Sequence, residues 1–284
     1  MPSSNLITPP ADAPAGPVII TAFDIPGLVH GFCDRTGGVS MDAFATFNLA
    51  GWIGDDPVAV AENWRRWHAR YPNLQVARLS QVHGNVVHRI DSSKLDLVDT
   101  GWVQTSSASD GRRAEGDGMV TCVSGIALGI FTADCVPILM VDEDSHVVAA
   151  LHAGWRGTLA GIAAEGVRAM VALGARPASI RAALGPSIGL CCFEVNAALA
   201  ENFARQIPDA NVHTRPGRPS KAFLDLRSIV RTQLEREGLE SASIVNAGPC
   251  TRCANDRYFS RRGAAASGLF TTSGLQMSFI GFAK

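Results

Sequence analysis

The chain has 284 residues, is 46% hydrophobic and carries a formal charge of −1, so it can bury a sizeable core. That charge excludes a global basic field for nucleic acid or anionic lipid, and no apolar run approaches the length that spans a bilayer. Seven cysteines, an odd number scattered along the chain, argue against a disulfide scaffold and for a reducing, cytoplasmic setting.

Residues 1–16 lack a basic region followed by an apolar one, so they do not read as a secretory signal. Their Pro, Ala and Ser content predicts a disordered lead-in. One domain is expected over 17–284. Residues 18–23 and 28–32 read as strands around the turn dipeptide Pro26-Gly27. A glycine-bearing loop at 34–40 and Phe47-Asn48-Leu49 follow. Asp56 can cap a helix with Pro57 in its first turn. Val60, Trp64 and Trp67 form its apolar face, and Arg65 and Arg66 leave on other faces. A strand is expected from Leu79 through Ile90, with His83 and His88 on opposite faces. Residues 91–114 read as a long polar loop ending at Glu115-Gly116-Asp117-Gly118.

The stretch 126–158 carries the densest chemistry. The runs 126–131, 136–141 and 147–151 are short, apolar and rich in β-branched residues, as buried strands are. Asp134 and Cys135 sit between the first two. His152 and Arg156 follow the third, among glycines that permit close backbone approach. A carboxylate, a thiol, an imidazole and a guanidinium are thus delivered at strand ends, where a rigid sheet can hold them.

Thr158 can cap a helix to about 173, ended by Gly174 and Pro177. Residues 180–184 read as a strand and 185–189 as a loop. Cys191 and Cys192 are expected on a strand, pointing to opposite faces, and so unable to bind one metal together. Asn196 and Asp225 can cap helices to about 206 and 238, with an Arg- and Pro-rich loop at 213–220 between them. Residues 243–247 and 275–282 complete the strands. Cys250 and Cys253 form a CxxC, but a structural zinc needs four ligands and no second pair is evident, so no metal is expected there. The pattern predicts an α/β fold with mixed sheets, without internal repeats or a dinucleotide fingerprint.

Thr132-Ala133-Asp134-Cys135-Val136-Pro137, Leu151-His152-Ala153-Gly154-Trp155-Arg156-Gly157 and Gln81-Val82-His83-Gly84 together resemble one family. Its members are zinc-dependent purine nucleoside phosphorylases, also known as laccase-domain or polyphenol oxidase proteins and as peptidoglycan editing factor. The resemblance runs from about Gly31 to the C-terminus. It implies a layered α/β sandwich and a single catalytic domain. It implies Zn2+ at His83, Cys135 and His152, with Asp134 orienting a ligand or carrying a proton. Asn48, Asp117 and an arginine of the Asn63–Arg65 region are implied near the substrate. Arg65, Arg156, Arg261 and Arg262 are the candidate phosphate contacts. Asn255–Arg262 resembles the closing Phe-Ser-Tyr-Arg-Arg block without its tyrosine, and the later Thr-Gly-Arg lacks its arginine here.

The resemblance implies cleavage of adenosine, inosine and methylthioadenosine with phosphate, and deamination of adenosine. Deamination suits a zinc-activated water attacking C6 of the purine. A copper polyphenol oxidase fits poorly. Multicopper sites use many histidines, commonly as His-x-His, and none of the seven here stand two apart. A Cys135–His152 nucleophilic hydrolase linked to peptidoglycan editing and a metal-bearing scaffold without turnover are the other readings.

Overall fold

The computed structural model describes residue 17 and residues 19–91, 114–207, 213–268 and 272–284. The expected lead-in at 1–16 and nearly all of the expected loop at 91–114 lie outside these residues. β1 (Ile19–Ile20) and β2 (Leu28–Cys33) precede α1 (Pro57–Arg70). Asp56 caps α1 by accepting from the Val58 N–H, and Val60, Trp64 and Trp67 face inward. Next come β3 (Gln75–Ala77), β4 (Val87–Arg89) and β5 (Gly118–Thr121). The three central runs become β6 (Ile126–Thr132), β7 (Val136–Asp142) and β8 (Val147–Ala153), buried throughout.

The second half contains α2 (Trp155–Leu159), α3 (Ile162–Val171), β9 (Arg181–Leu184), β10 (Glu194–Asn196) and α4 (Ala197–Gln206). It continues with β11 (Thr214–Pro216), β12 (Lys221–Leu224), α5 (Leu226–Arg236) and β13 (Ile244–Asn246). It ends with α6 (Arg261–Ser267) and β14 (Gln276–Phe282).

The strands form sheets ordered β1-β2-β14-β6-β3, β13-β9-β7-β8-β5-β4 and β10-β12-β11. Parallel pairs (β3–β6, β4–β5, β9–β13) stand beside antiparallel ones, so the two larger sheets are mixed. Leu128, Ile130 and Ile280 from the first sheet pack with Leu139, Val141, Val148 and Ala150 from the second. The opposite face of the first sheet packs on α1, through Phe131, Phe279, Trp64 and Trp67. Ile138, Met140, Ala149 and Leu151 pack on α3, α4 and α5. The result is helix, sheet, sheet, helix. β6 to β8 are apolar along their whole length because both faces of each are covered.

The structure departs from four expectations and adds one unanticipated helix. Only 87–89 of the expected 79–90 strand is a strand; Ser80 makes one isolated bridge to Glu115, and His83 has φ +63°. Thr158 lies inside α2 and donates to the Gly154 carbonyl, while Gly161, at φ +83°, separates α2 from α3. Cys191 and Cys192 lie in a turn before β10, not on a strand. The expected 213–220 loop contains β11, paired with β12. The sequence reading missed α6 because Arg-Arg-Gly-Ala-Ala-Ala-Ser has no apolar stripe; Ser260 caps it by accepting from Gly263 N–H.

His30 on β2 is 5% exposed, and its Nε2 accepts from the N–H groups of Ala22 and Phe23 at 2.9 and 3.0 Å. Burial, then the Arg181 guanidinium, lowers its pKa from 6.5 to about 4. The unfolded chain takes up this proton near 6.5 while the folded chain refuses it, so stability is lost as pH falls from about 6.5 to about 4. The loss is on the order of 3 kcal/mol. Urea midpoints across that window should fall more steeply for the native protein than for His30→Gln. Equal slopes would remove the assignment.

Candidate metal centre and its cavity

Three segments converge on one point. The register pairs Val136 with Ala153 and Pro137 with His152, so Cys135, just before β7, stands beside the end of β8. The 81–84 loop brings His83. Donor atoms of His83, Cys135 and His152 all lie within 4.8 Å of one another, and the two imidazole rings meet edge-on at 4.7 Å.

The loop is held at both ends. Gln81 donates from Nε2 to the Phe131 carbonyl and accepts from the Phe131 N–H at Oε1, both at 2.8 Å. The buried Asp117 carboxylate accepts the N–H groups of Val82, His83 and Gly84 at 3.3, 2.9 and 2.6 Å. A left-handed non-glycine residue costs about 1–2 kcal/mol; hydrogen bonds to a charged acceptor offset that cost at His83.

Asp117 has a second task. Its Oδ1 lies 2.8 Å from His152 Nδ1. A carboxylate only accepts, so Nδ1 carries the proton and Nε2 is left for the site. Burial disfavours the Asp117 charge, but His152 and the loop N–H groups outweigh it and hold the carboxyl below its usual range. Burial likewise opposes a Cys135 thiolate; His152 and His83 outweigh it and push the thiol down. His152 is pushed up because Cys135 and Asp117 outweigh its burial. Both shifts run in the direction that favours a thiolate beside an imidazolium.

Two imidazoles and a thiolate suit zinc, and three protein ligands leave a position for water or substrate. The backbone is shaped to this convergence. A Cβ on Gly154 would lie 2.9 Å from His83 Cδ2 and 3.1 Å from Cys135 Sγ, closer than packed atoms approach.

The three side chains line a cavity of about 840 Å³. Trp52 and Phe131, edge-on at 5.1 Å, give it an aromatic wall, and Glu115 and Arg261 bring one charge of each sign. Sequence reasoning missed Trp52, Glu115 and Phe131, which sit in segments far apart along the chain. Asn48, Arg65, Asp117, Asp134, Arg156 and Arg262 are not among the residues lining it. Asn48 is buried, bonding Ala50, Asp55 and the Leu275 N–H. Asn63 bonds the glycine loop and Asn48, while Arg65 is exposed and paired with Glu62. Arg156 lies over the Trp155 ring. Asp134 accepts from Thr251 Oγ1, Ser260 Oγ and the Arg262 N–H at 2.7, 2.6 and 2.7 Å. The Arg262 side chain donates to the Glu194 carbonyl.

Residues 29–283 match the family described as multi-copper polyphenol oxidoreductase laccase. The chain belongs to this laccase-domain family. Its relatives include purine nucleoside phosphorylase Rv2149c of Mycobacterium tuberculosis, 35% identical over 84% of this chain and 88% of the relative. Adenosine deaminase RL5, from an unknown prokaryotic organism, is 33% identical over 82% and 88%. The crystal structure of YlmD from Geobacillus stearothermophilus superposes with a TM-score of 0.84, at 29% identity over 99% of this chain and all of that one.

If His83 and His152 hold a metal, Asp117→Asn should weaken its binding about 10- to 100-fold, because it loosens both imidazoles. A competition titration with a chromogenic chelator measures this. Affinity equal to that of the native protein would show that the carboxylate does not position them.

Proposed function

We propose that the chain is a zinc-dependent purine nucleoside phosphorylase acting on adenosine, inosine and methylthioadenosine, with adenosine deaminase activity. The observation that carries this is the convergence of His83, Cys135 and His152 on a cavity with an aromatic wall and a guanidinium. The names of the phosphorylase and deaminase relatives support the same reading.

His83, Cys135 and His152 would hold the zinc, and Asp117 keeps His152 Nε2 aimed at it. Bound there, zinc supplies a Lewis acid and an acidified water. Trp52 and Phe131 offer flat apolar surface to a purine. Glu115 can accept from ribose hydroxyls. Arg261, the arginine lining the cavity, can pair with phosphate in the two-pronged geometry that guanidinium favours. In phosphorolysis a phosphate oxygen bonds C1′ as the C1′–N9 bond breaks. The electron pair leaves on the purine, which takes up, by way of water, the proton that the hydrogen phosphate gives up. Deamination consumes water and releases ammonia. Asp134, with its carboxylate occupied by three donors, acts as a positioning residue for Cys135. A thiolate ligand persists in a reducing compartment, and we assign the protein to the cytoplasm.

The closeness of Cys135 and His152, with the thiol pushed down and the imidazole pushed up, favours one rival, a Cys135–His152 nucleophilic hydrolase. Inosine with phosphate should yield hypoxanthine and ribose 1-phosphate, and chelation and Cys135→Ala should each abolish this. Full activity in demonstrably metal-free native protein would promote the hydrolase, and no turnover of any purine nucleoside would sink the enzyme reading. Arg261→Ala should raise the phosphate KM about tenfold, roughly the 1.4 kcal/mol of one charge-assisted contact, and change the nucleoside KM less. An unchanged phosphate KM would remove Arg261 from that role.

A further inference from the structure

A second constellation lies among residues that do not line the cavity. Cys191, Cys192, Cys250 and Cys253 bring their four sulfurs within 4.8 Å of one another. Two turns do this. Cys192 and Phe193 both donate their N–H groups to the Gly189 carbonyl, at 2.9 and 3.0 Å. The CxxC is folded back by Ala254 N–H on the Cys250 carbonyl at 3.0 Å. The turns are joined by the Ser187–Cys250 bridge. Gly189 N–H points at Cys250 Sγ from 3.3 Å, a contact that stabilises a thiolate. Arg227 ties the loops together by donating to the carbonyls of Ser187, Gly248 and Pro249.

We propose that these four cysteines hold one structural zinc ion as a tetrathiolate. Sulfurs about 2.3 Å from a tetrahedral zinc stand about 3.8 Å apart, whereas a disulfide brings two to about 2.05 Å. Cys191 Sγ and Cys192 Sγ are each 3.5 Å from Cys253 Sγ. One sulfur equidistant from two others fits shared coordination rather than pairing. Four thiolates in this arrangement select zinc or iron. A multi-iron cluster would hold its cysteine sulfurs further apart than this group stands. The site is built from two adjacent cysteines in a turn and a CxxC, a combination that linear spacing does not announce.

The ion would brace the corner that carries Cys135. Ile188 N–H donates to the Asp134 carbonyl at 2.8 Å, and Thr251 Oγ1 to its side chain at 2.7 Å. Both donors come from the segments that the four cysteines join. The inference does not depend on the cavity's proposed activity.

The test is elemental analysis of full-length protein purified anaerobically with zinc. The expected contents are two zinc ions per chain in native protein and one in each of Cys253→Ser and Cys135→Ala. Should Cys253→Ser fail to fold, Cys135→Ala still decides the question. Its remaining zinc should be released by a mercurial in step with the titration of four thiols. Cys135→Ala without zinc, or a zinc content unchanged by Cys253→Ser, would overturn the proposal. So would an intact mass showing a disulfide among the four cysteines, or iron in place of zinc. A failed cavity assignment reads differently: Cys135→Ala would keep the native metal content while Cys253→Ser lost its zinc.

Discussion

The centre depends on one buried carboxylate. Asp117 gathers the N–H groups of Val82, His83 and Gly84 and the Nδ1 of His152. Its two oxygens therefore set the position of both histidines that face Cys135. A buried carboxylate with these donors stays ionised, because each hydrogen bond is made to its charged form. Losing it would release the loop and the ring together, so neither histidine is independently placed.

The layered fold makes such coupling rigid. β7 and β8 are sandwiched between a second sheet and a helical layer. Close-packed interiors hold side chains near single rotamers, and this stiffness reaches the strand ends where Cys135 and His152 stand. The cavity wall is supplied from elsewhere. Trp52 follows the glycine loop, Phe131 lies on β6 and Arg261 opens α6. Cys135 and His152 are thus rooted at strand ends, while His83 and most of the groups suited to substrate contact come from connecting segments, a common division of labour.

Asp134 ties the two halves of the molecule. At φ +100° it occupies a strained corner between β6 and β7, and its carboxylate accepts from Thr251, Ser260 and Arg262. Segments more than a hundred residues away therefore hold the residue next to Cys135 in place. The altered closing block, Arg257-Tyr258-Phe259-Ser260-Arg261-Arg262, retains this function through Ser260 and the Arg262 backbone. Arg261 lines the cavity, with its Nη1 3.4 Å from Thr272 Oγ1.

The sequence by itself determined the strands and helices whose apolar residues repeat at strand or helix period. The central strands, the cap at Asp56 and the inward face of α1 were legible because each depends on neighbours within a few residues. Family motifs named His83, Cys135 and His152, whereas the strand pattern over 79–90 placed His83 on a strand that the structure replaces with a left-handed turn. Only the tertiary structure showed that Asp117 holds both His83 and His152, that Asn48 and Arg65 are engaged away from the cavity, and that Cys191-Cys192 meets Cys250-x-x-Cys253. The physical reason is the same in each case. A side chain's role is decided by the hydrogen-bond and packing partners it meets across long sequence separations, and local pattern carries no information about them.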